Sequence, residues 1–525
     1  MRVTNHMVTS SSLRNMQKSM QKVSSLNEQV TTGKKISAPS QDPVVAIRAL
    51  KLRTTCDQLD QYKNKNIKDA MSWLDTTQTS IQNIEDRLQD VYYYCEQGAH
   101  DTFSTSDRSK IINELKALKE SIYREGGTTY AGRYLFSGYK TETNLVFQDA
   151  AAKEGLAYSI EEPLDVSKAK AKNAVVDSVD TSRLDAILNG TDTYQSPSQE
   201  AVHILQLAYD RLDDSNFGMS FEVENMKYEM EPGTNNIKAY VKNADGSYTS
   251  VVGQSLQFTI KDATKPKEYY DVDDNEIALI PETGELVMGK DAYSLIKGAS
   301  SFTANYDKSH FEVGDLRPEM YFNCTQTKTL SDGTTQTTDF TVDEEGQEIR
   351  YEVNFNQYLT VNAQGKDIIK HSMGNDIEDM RIAVQDMLDV EQTIATLKGY
   401  LNDPKYKDTP DAVKQINKML EDADVELAMK RENMQTLFAN NMTNFQNYMN
   451  DVGAEQAKVG TNYSKLELIA TRVTEQLENF EELKSTNEDI ETEEVALDMY
   501  QAELVYESAL ATTSNVIKKT LLDYI

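Results

Sequence analysis

Apolar residues recur at helical spacing near both ends of the chain. In the first 32 residues the steps alternate between three and four positions, along Leu13, Met16, Met20, Val23, Asn27 and Val30. Near the other end, apolar residues repeat every seven positions at Ile490, Leu497, Leu504 and Ala511. Each narrow stripe predicts a helix that needs a partner surface to be stable in water. We therefore expect the two terminal helices to pack together and then against other chains.

Longer helices are predicted between these termini. Asp42 followed by Pro43 is a strong helix start, because a capping side chain precedes a proline in the first turn. No Gly or Pro occurs from 44 to 97, so this stretch predicts one helix about 80 Å long. A further helix is expected to end at Gly126-Gly127, followed by a short strand pair around 132–139. In the second half, apolar spacing predicts helices that carry 377–387, 416–427 and 459–480.

The middle of the chain has β character. Three segments with turn residues near their centres predict hairpins, namely 238–252 with Asp245-Gly246, 339–355 with Glu345-Gly346, and 358–369 with Gly365. Residues 198–212 are predicted to be helical. The sequence thus predicts an α+β fold, a helical rod made from both ends of the chain and interrupted by a mostly β insert. Three domains are expected: 1–36 with 483–525, 37–150 with 371–482, and the insert 151–370.

Composition and charge exclude several classes of function. The 525 residues carry a net charge of −31. Residues 1–150 have a net charge of +3, so the excess of acidic residues lies in the insert and the C-terminal part. Such a field repels phosphates, which excludes general nucleic-acid binding. No apolar run of 18 residues occurs, so no membrane span is predicted. The N-terminal segment lacks the apolar core of a secretory signal peptide.

Residues that commonly carry chemistry are scattered. The five histidines form no zinc motif. The three cysteines are too few for a disulfide framework, and we predict that they are buried free thiols. Residues 271–282 place acidic or amide side chains at several calcium-loop positions. However, Glu276 replaces the glycine of such a loop and Pro281 stiffens it, which favours a solvated acidic turn. We therefore predict no metal, no cofactor and no enzymatic activity.

Three segments carry a family resemblance. The segment TTGKKISAPSQDPVVAIRAL at 31–50 resembles the N-terminal signature of the flagellar hook-associated protein 3 family, the hook–filament junction proteins of the flagellin superfamily. The matching positions are Thr32, Gly33, Lys34, Pro39, Ser40, Asp42 and Pro43. GRYLFSGYKTET at 132–143 is similar to the strand segment of that family. The C-terminal stretch 465–525 also resembles the family, notably at Asn487-Glu-Asp, Gln501-Ala-Glu-Leu and the ending Leu521-Leu-Asp-Tyr-Ile.

The resemblance implies a structural subunit of the bacterial flagellum that joins hook to filament. In that family the terminal helices line the inner tube, the next helices contact neighbouring subunits, and the insert faces outward. The partners it implies are copies of the same chain in a ring, a neighbouring hook-associated protein, flagellin, and an export chaperone on the C-terminal segment near 480–525. It also implies an extracellular location, reached through type III export without a cleaved signal peptide.

Three other functions remain open at this stage. Flagellin itself, or another axial hook-associated protein, shares the overall plan. Flagellins typically read Ser-Ser-Gly-x-Arg-Ile-Asn and Asp-Asp-Ala-Ala-Gly-Leu where this chain has TTGKKISAPSQDPVVAI, and they commonly end in a Leu-Leu-Arg type sequence, whereas this chain ends in Leu-Asp-Tyr-Ile. An insert that is an enzyme needs a convergent site, which the sequence does not show. An adhesin with coiled-coil ends does not explain the terminal motifs.

Overall fold

The computed structural model describes residues 5–100, 105–213, 216–231, 234–243, 247–262, 270–330, 333–342 and 347–517. The chain divides into two compact units. The first unit comprises 1–72, 350–359 and 462–525, and the second comprises 73–349 and 360–461. Residues 350–359, which the sequence analysis assigns to the insert, therefore cluster with the two ends of the chain.

The described part of the chain contains long helices towards both ends and strands between them, which confirms the α+β class. The helices are α1 (Asn5–Thr32), α2 (Pro43–Gln61), α3 (Ile67–Ala99), α4 (Thr105–Glu125), α5 (Ala150–Lys153), α6 (Leu184–Leu188), α7 (Lys290–Ile296), α8 (Gly365–Ile368), α9 (His371–Tyr400), α10 (Pro404–Lys407), α11 (Pro410–Glu488) and α12 (Thr492–Ile517). The strands are β1 (Thr129–Tyr130), β2 (Arg133–Tyr134), β3 (Leu156–Pro163), β4 (Lys170–Val176), β5 (Ser198–Gln206), β6 (Gly218–Val223), β7 (Met226–Met230), β8 (Asn236–Lys242), β9 (Tyr248–Ile260), β10 (Glu276–Ile280), β11 (Glu285–Met288), β12 (Ala299–Lys308), β13 (Asn323–Thr329), β14 (Thr335–Phe340), β15 (Arg350–Asn354) and β16 (Gln357–Thr360).

Two helix predictions need correction. The single helix expected over 44–97 is interrupted by a π turn at Tyr62–Asn66, which separates α2 from α3. The stripes at 416–427 and 459–480, predicted as separate helices, both lie in the 79-residue helix α11. No proline follows Pro410, and Gly453 and Gly460 alone do not stop a helix whose apolar face is buried. The helix ending before Gly126 is confirmed.

Most strands of the second unit form one 12-stranded sheet. Its order is β14-β13-β3-β12-β6-β7-β8-β9-β10-β11-β5-β4, and the described pairs are antiparallel except for β9 with β10. Strands β10 and β11 are buried along their whole length. One face of the sheet packs around Phe221, Phe258 and Phe302, and the other packs around Ala278 and Ile280. Both faces are therefore covered at the centre of the sheet.

The helix predicted over 198–212 is wrong, because residues 198–206 form strand β5. Val202 and Ile204 pack on one face of the sheet and Leu205 packs on the other. A strand buried on both faces reads as a short continuous apolar run, which periodicity alone does not separate from a buried helix. Tertiary pairing with β4 and β11 decides the conformation here.

The hairpin predictions have mixed outcomes. The hairpin over 238–252 is confirmed as β8 paired with β9, although its Asp245-Gly246 turn lies outside the described residues. The hairpin over 339–355 is wrong, since β14 pairs with β13 while β15 pairs with β16; its turn at Glu345-Gly346 also lies outside the described residues. The hairpin expected at Gly365 is wrong, because 365–368 form the short helix α8. The strand pair expected at 132–139 occurs slightly earlier, at 129–134.

The structure describes the three cysteines and the acidic segment that the sequence pointed to. Cys56, Cys95 and Cys324 are buried free thiols, as predicted. In the acidic segment, Glu276 accepts a hydrogen bond from the backbone N–H of Asp273 at 2.9 Å and lies in β10. Across the described ranges, no three His, Cys, Asp or Glu side chains come together in a way that would hold a metal ion. None of the described helices is long and apolar enough to cross a membrane.

The sheet contains one buried carboxyl group whose titration is measurable. Glu162 of β3 accepts hydrogen bonds from the hydroxyl of Tyr306 at 2.5 Å and from the backbone N–H of Ala208 at 3.0 Å. Burial raises the pKa of Glu162 to about 7, although both hydrogen bonds oppose the shift. A raised pKa in the folded state means that stability is fully present below the ordinary pKa and is lost as the pH rises through the folded value.

We predict that raising the pH from 4.5 to 8 lowers the free energy of unfolding through Glu162 by roughly 3 kcal/mol. Glu162→Gln should remove this dependence, because an amide of the same shape does not ionise. Denaturant titrations across this pH range measure the effect. The matched control is Glu161→Gln, since Glu161 is exposed on the same strand. A pH dependence unchanged by Glu162→Gln would contradict the assignment.

Candidate assembly surface

The signature segment begins where α1 ends. Gly33 has a φ of 67°, in the left-handed region that favours glycine, and its N–H donates to the carbonyl of Gln29 at 2.8 Å. Thr32 lies in the last turn of α1, and its hydroxyl donates to the carbonyl of Glu28 at 2.8 Å. The sequence prediction that Gly33 stops this helix is confirmed.

The residues after Gly33 pair with the end of α11. The N–H of Lys35 donates to the carbonyl of Glu488 at 2.7 Å, and the N–H of Ile490 donates to the carbonyl of Gly33 at 3.1 Å. Lys34 Nζ lies 2.5 Å from Asp489 Oδ1 and 3.4 Å from Glu488 Oε2. Backbone and side-chain contacts thus join two segments more than 450 positions apart in sequence.

Glu488 is the most buried acid of this junction, with 5% of its side chain exposed. Arg53 of α2 binds it in a bidentate manner, with Nε to Oε1 at 2.7 Å and Nη2 to Oε2 at 2.6 Å. The hydrogen bond from Arg53 is the main reason why the pKa of Glu488 is lowered, and the one from Lys34 lowers the pKa of Asp489. Both carboxylates therefore remain ionised below their ordinary pKa range, which keeps the junction intact in mild acid.

The remaining signature residues lie at the beginning of α2. Asp42 caps this helix, because its Oδ1 accepts from the N–H groups of Val44 at 2.9 Å and Val45 at 3.1 Å, and Pro43 occupies the first turn. Pro39 and Ser40 are exposed. Asn487 Nδ2 donates to the carbonyl of Val45 at 3.2 Å, so the Asn-Glu-Asp motif of the C-terminal stretch also contacts this helix start. The structure therefore brings together two motifs that were separate in the sequence.

Helices α1 and α12 pack against each other. Since α1 ends beside the residues that lead into α12, the two helices run antiparallel. Their less accessible faces are heptad rows in which small or polar side chains alternate with larger apolar ones. On α1 these residues are Thr9, Ser12, Met16, Ser19, Val23 and Leu26, and on α12 they are Val495, Met499, Ala502, Tyr506, Ala509 and Thr513.

The predicted seam residues fall largely outside this contact. Met16, Val23 and Ile490 are half-buried, but the remaining predicted positions are exposed, namely Leu13, Met20, Val30, Leu497, Leu504 and Ala511. Leu497 and Leu504 are 61% and 54% exposed, on the side of α12 opposite Ala502. The sequence prediction included Met16 and Val23 of the inner row and left out its other residues, several of which are small or polar. Their spacing in steps of four and three was the signal that could have identified them.

Large apolar side chains thus face outward on the first unit. Besides the predicted stripes they include Met7, Val8, Val44, Ile47, Leu50, Leu483, Tyr500, Val505 and Leu510. We call this set, together with Leu13, Met20, Val30, Leu497 and Leu504, the terminal apolar surface. Single exposed apolar residues are ordinary, but large apolar side chains exposed one heptad apart on one helix, such as Leu497 and Leu504, are typical of a surface that associates with another.

One cluster in the second unit has the residue types of a hydrolase triad. Ser309 Oγ donates to Asp213 Oδ1 at 2.8 Å, and His310 Nδ1 lies 3.1 Å from both Ser309 Oγ and Asp213 Oδ1. In a triad the histidine stands between the hydroxyl and the carboxylate. Here the carboxylate itself accepts the serine hydroxyl and the histidine is largely exposed. This arrangement orders a turn and does not prepare a nucleophile.

We predict that Glu488→Gln weakens the junction by about 1–2 kcal/mol, between the values typical of exposed and buried ion pairs. Amide hydrogen exchange at 33–35 and 489–491 should then accelerate. In the unchanged protein the junction should persist above the ordinary carboxyl pKa of about 4.3 and be lost as the pH falls through the lowered folded values. Glu494→Gln, at an exposed position of α12, is the control. Equal exchange in both variants would refute the role of Glu488.

The N-terminal part of the chain matches a described protein family. Residues 3–141 match the family described as the bacterial flagellin N-terminal helical region. Flagellar hook-associated protein 3 from Escherichia coli (strain K12) is 29% identical over 175 residues, covering 32% of this chain and 53% of that protein. Flagellin from Clostridium tyrobutyricum is 26% identical over 127 residues, covering 24% of this chain and 33% of that protein. The chain spans about half the length of the hook-associated relatives it matches.

Among solved structures, the flagellar junction protein FlgL from Legionella pneumophila is 12% identical, with 85% of this chain and 100% of that chain covered and a TM-score of 0.27. The chain carries a flagellin-type N-terminal helical region, and its resemblance to flagellar hook-associated protein 3 of the flagellin superfamily is confirmed.

Proposed function

We propose that this protein is a structural subunit of the bacterial flagellum that forms the junction between hook and filament and allows flagellin to assemble beyond it. The terminal apolar surface is the observation that carries the proposal. Leu497 and Leu504 point away from α1, so the antiparallel helix pair presents these two large apolar residues outward, whereas Ala502 and Thr513 of the same helix lie inside. Such a pair is completed by further copies of the chain in a ring.

The proposed partners follow from the resemblance. Besides copies of itself, the subunit contacts a neighbouring hook-associated protein on one side and flagellin on the other. An export chaperone covers the C-terminal segment near 480–525 before assembly, which shields Leu497, Leu504 and Leu510 from premature association. The protein acts outside the cell, which it reaches by type III export, and has no enzymatic role.

In this proposal, each of the three domains expected from the sequence has its own role in assembly. Residues 1–36 with 483–525 form the inner-tube layer, and 37–150 with 371–482 form the layer that contacts neighbouring subunits. Residues 151–370 face outward, and their net charge of −18 favours solvation and discourages association among neighbouring inserts. The signature residues 32–43 set the start of α2 relative to the end of α11 within the first unit.

Filament flagellin is the second candidate, because a flagellin is among the relatives. The longer match to hook-associated protein 3 favours the junction protein. So does the sequence at Thr32-Gly33-Lys34, where Lys34 binds Asp489 and Glu488. The ending Leu521-Leu-Asp-Tyr-Ile also departs from the usual end of flagellins, although it lies outside the described residues.

A strain that lacks this gene should build hooks, fail to retain filaments and release unpolymerised flagellin into the medium. Gold-labelled antibody against 156–206 should mark a narrow band between hook and filament in the parent strain. Intact filaments on the deletion strain would contradict the junction role. Label along the whole filament would instead identify a flagellin.

We predict that Leu504→Asp abolishes incorporation into flagella while leaving the fold of the monomer intact. Leu504 is 54% exposed in the single chain, so the charge remains in water until another copy covers it. Circular dichroism of the monomer and the amount of protein in purified flagella measure the two effects. Thr512→Asp, exposed and off the Leu497–Leu504 stripe, is the control. Normal incorporation of Leu504→Asp would show that this stripe is not the assembly surface.

A further inference from the structure

A π turn at Tyr62–Asn66 separates α2 from α3. The buried stripe of α2 comprises residues 46, 49, 52, 56 and 59, and that of α3 begins with 67, 70, 73, 74, 77, 80 and 81. A π turn holds one residue more than an α-helical turn, and this extra residue rotates the helix that follows by about 100° relative to a continuous α-helix.

The π turn absorbs this extra residue. The N–H of Ile67 donates to the carbonyl of Tyr62, five positions earlier, whereas the N–H of Tyr62 still reaches the carbonyls of Gln58 and Leu59. Both stripes then remain buried, with Leu59 and Ile67 at 0% and 1% exposure. A π turn is rare because its hydrogen bonding is less favourable than that of an α-helix, so its position needs support.

One strand of the β15–β16 hairpin contacts this turn. The carboxylate of Glu352 accepts the hydroxyl of Tyr62 at 2.9 Å, and the carbonyl of Glu352 accepts Asn66 Nδ2 at 2.8 Å. The first and last residues of the π turn are thus held by one residue of the hairpin. Next to it, the hydroxyl of Tyr351 donates to Asp69 in the first turn of α3. The ring of Phe355 meets that of Tyr62 edge-on at 5.5 Å.

The same hairpin also reaches α11. Asn354 Nδ2 donates to Gln476 Oε1 at 3.3 Å, and Arg472 Nη2 donates to Gln357 Oε1 at 2.9 Å. Residues 350–359 therefore lie between the π turn and the helix that ends at Glu488, all within the first unit. The chain reaches this hairpin from β14 of the large sheet and leaves it for α8.

We propose that the β15–β16 hairpin is a clamp that holds the π turn at 62–66 and thereby fixes the rotation of α2. The consequence extends to the junction at Glu488. If the turn relaxed to α-helix, α2 would rotate by about 100° relative to α3 and would carry Arg53 away from Glu488. The hairpin, a segment between the sheet and α8, thus controls whether the first unit presents Val44, Ile47 and Leu50 on its terminal apolar surface.

The test uses the full-length protein and the variant Glu352→Ala/Asn66→Ala, which removes both hydrogen bonds to the ends of the turn. Amide exchange in peptides covering 58–67 and in those covering 33–35 should accelerate about tenfold. Lys65→Ala is the control, since Lys65 is exposed within the same turn. Tyr62→Phe, which loses only one hydroxyl contact, gives an intermediate effect if the double variant folds poorly. Exchange equal to that of Lys65→Ala would overturn the proposal.

A deletion variant distinguishes a hairpin that holds the π turn from a hairpin that only packs against the helix. Removing Asn64 eliminates the extra residue, so an uninterrupted α-helix would bury both stripes without a π turn. In that background, Glu352→Ala should no longer accelerate exchange, because nothing remains for the hairpin to hold. If Glu352→Ala accelerates exchange equally with and without Asn64, the hairpin only adds packing energy and the clamp is refuted. Neither outcome depends on assembly into flagella.

Discussion

The first unit depends on the carboxylate of Glu488. This side chain lies at the end of α11, receives two hydrogen bonds from Arg53 of α2, and shares Lys34 with Asp489. Two helices and the signature loop therefore meet at one buried charge. Because a buried carboxylate without partners is costly, the chain segments that supply Arg53 and Lys34 are held together whenever this unit is folded. The capped start of α2 and the left-handed Gly33 then determine how α1 returns beside α12.

The two terminal helices extend from that junction. On α12, large apolar residues lie on the outer face as well as in the contact with α1. In an isolated helix pair, the larger apolar residues would be expected in the contact between the helices. Here Ala502 and Thr513 occupy the contact while Leu497 and Leu504 face outward. This distribution is economical for a subunit whose final neighbours are other copies, because the pair can form first and still retain apolar area to bury on association.

The sequence predicted the helix-capping features well because they are local. Asp42-Pro43 and Gly33 act through the backbone of their own turns, so residue type alone indicates the structure. The family motifs were equally informative, since they mark the loop and the C-terminal segment that the structure brings together. By contrast, β5 was misread because pairing within a two-faced sheet overrides helical spacing. The stripes were predicted to serve both the packing of the two terminal helices and assembly with other chains, because apolar periodicity does not reveal which partner covers each residue.

The central claim is that the Leu497–Leu504 stripe is covered by other copies of the chain. Alkylation of Leu504→Cys measures this most directly, since the three native cysteines are buried. The account predicts rapid reaction of this thiol in the monomer and strong protection in purified flagella. Reaction at equal rates in both states would contradict the account, because the stripe would then remain in water after assembly.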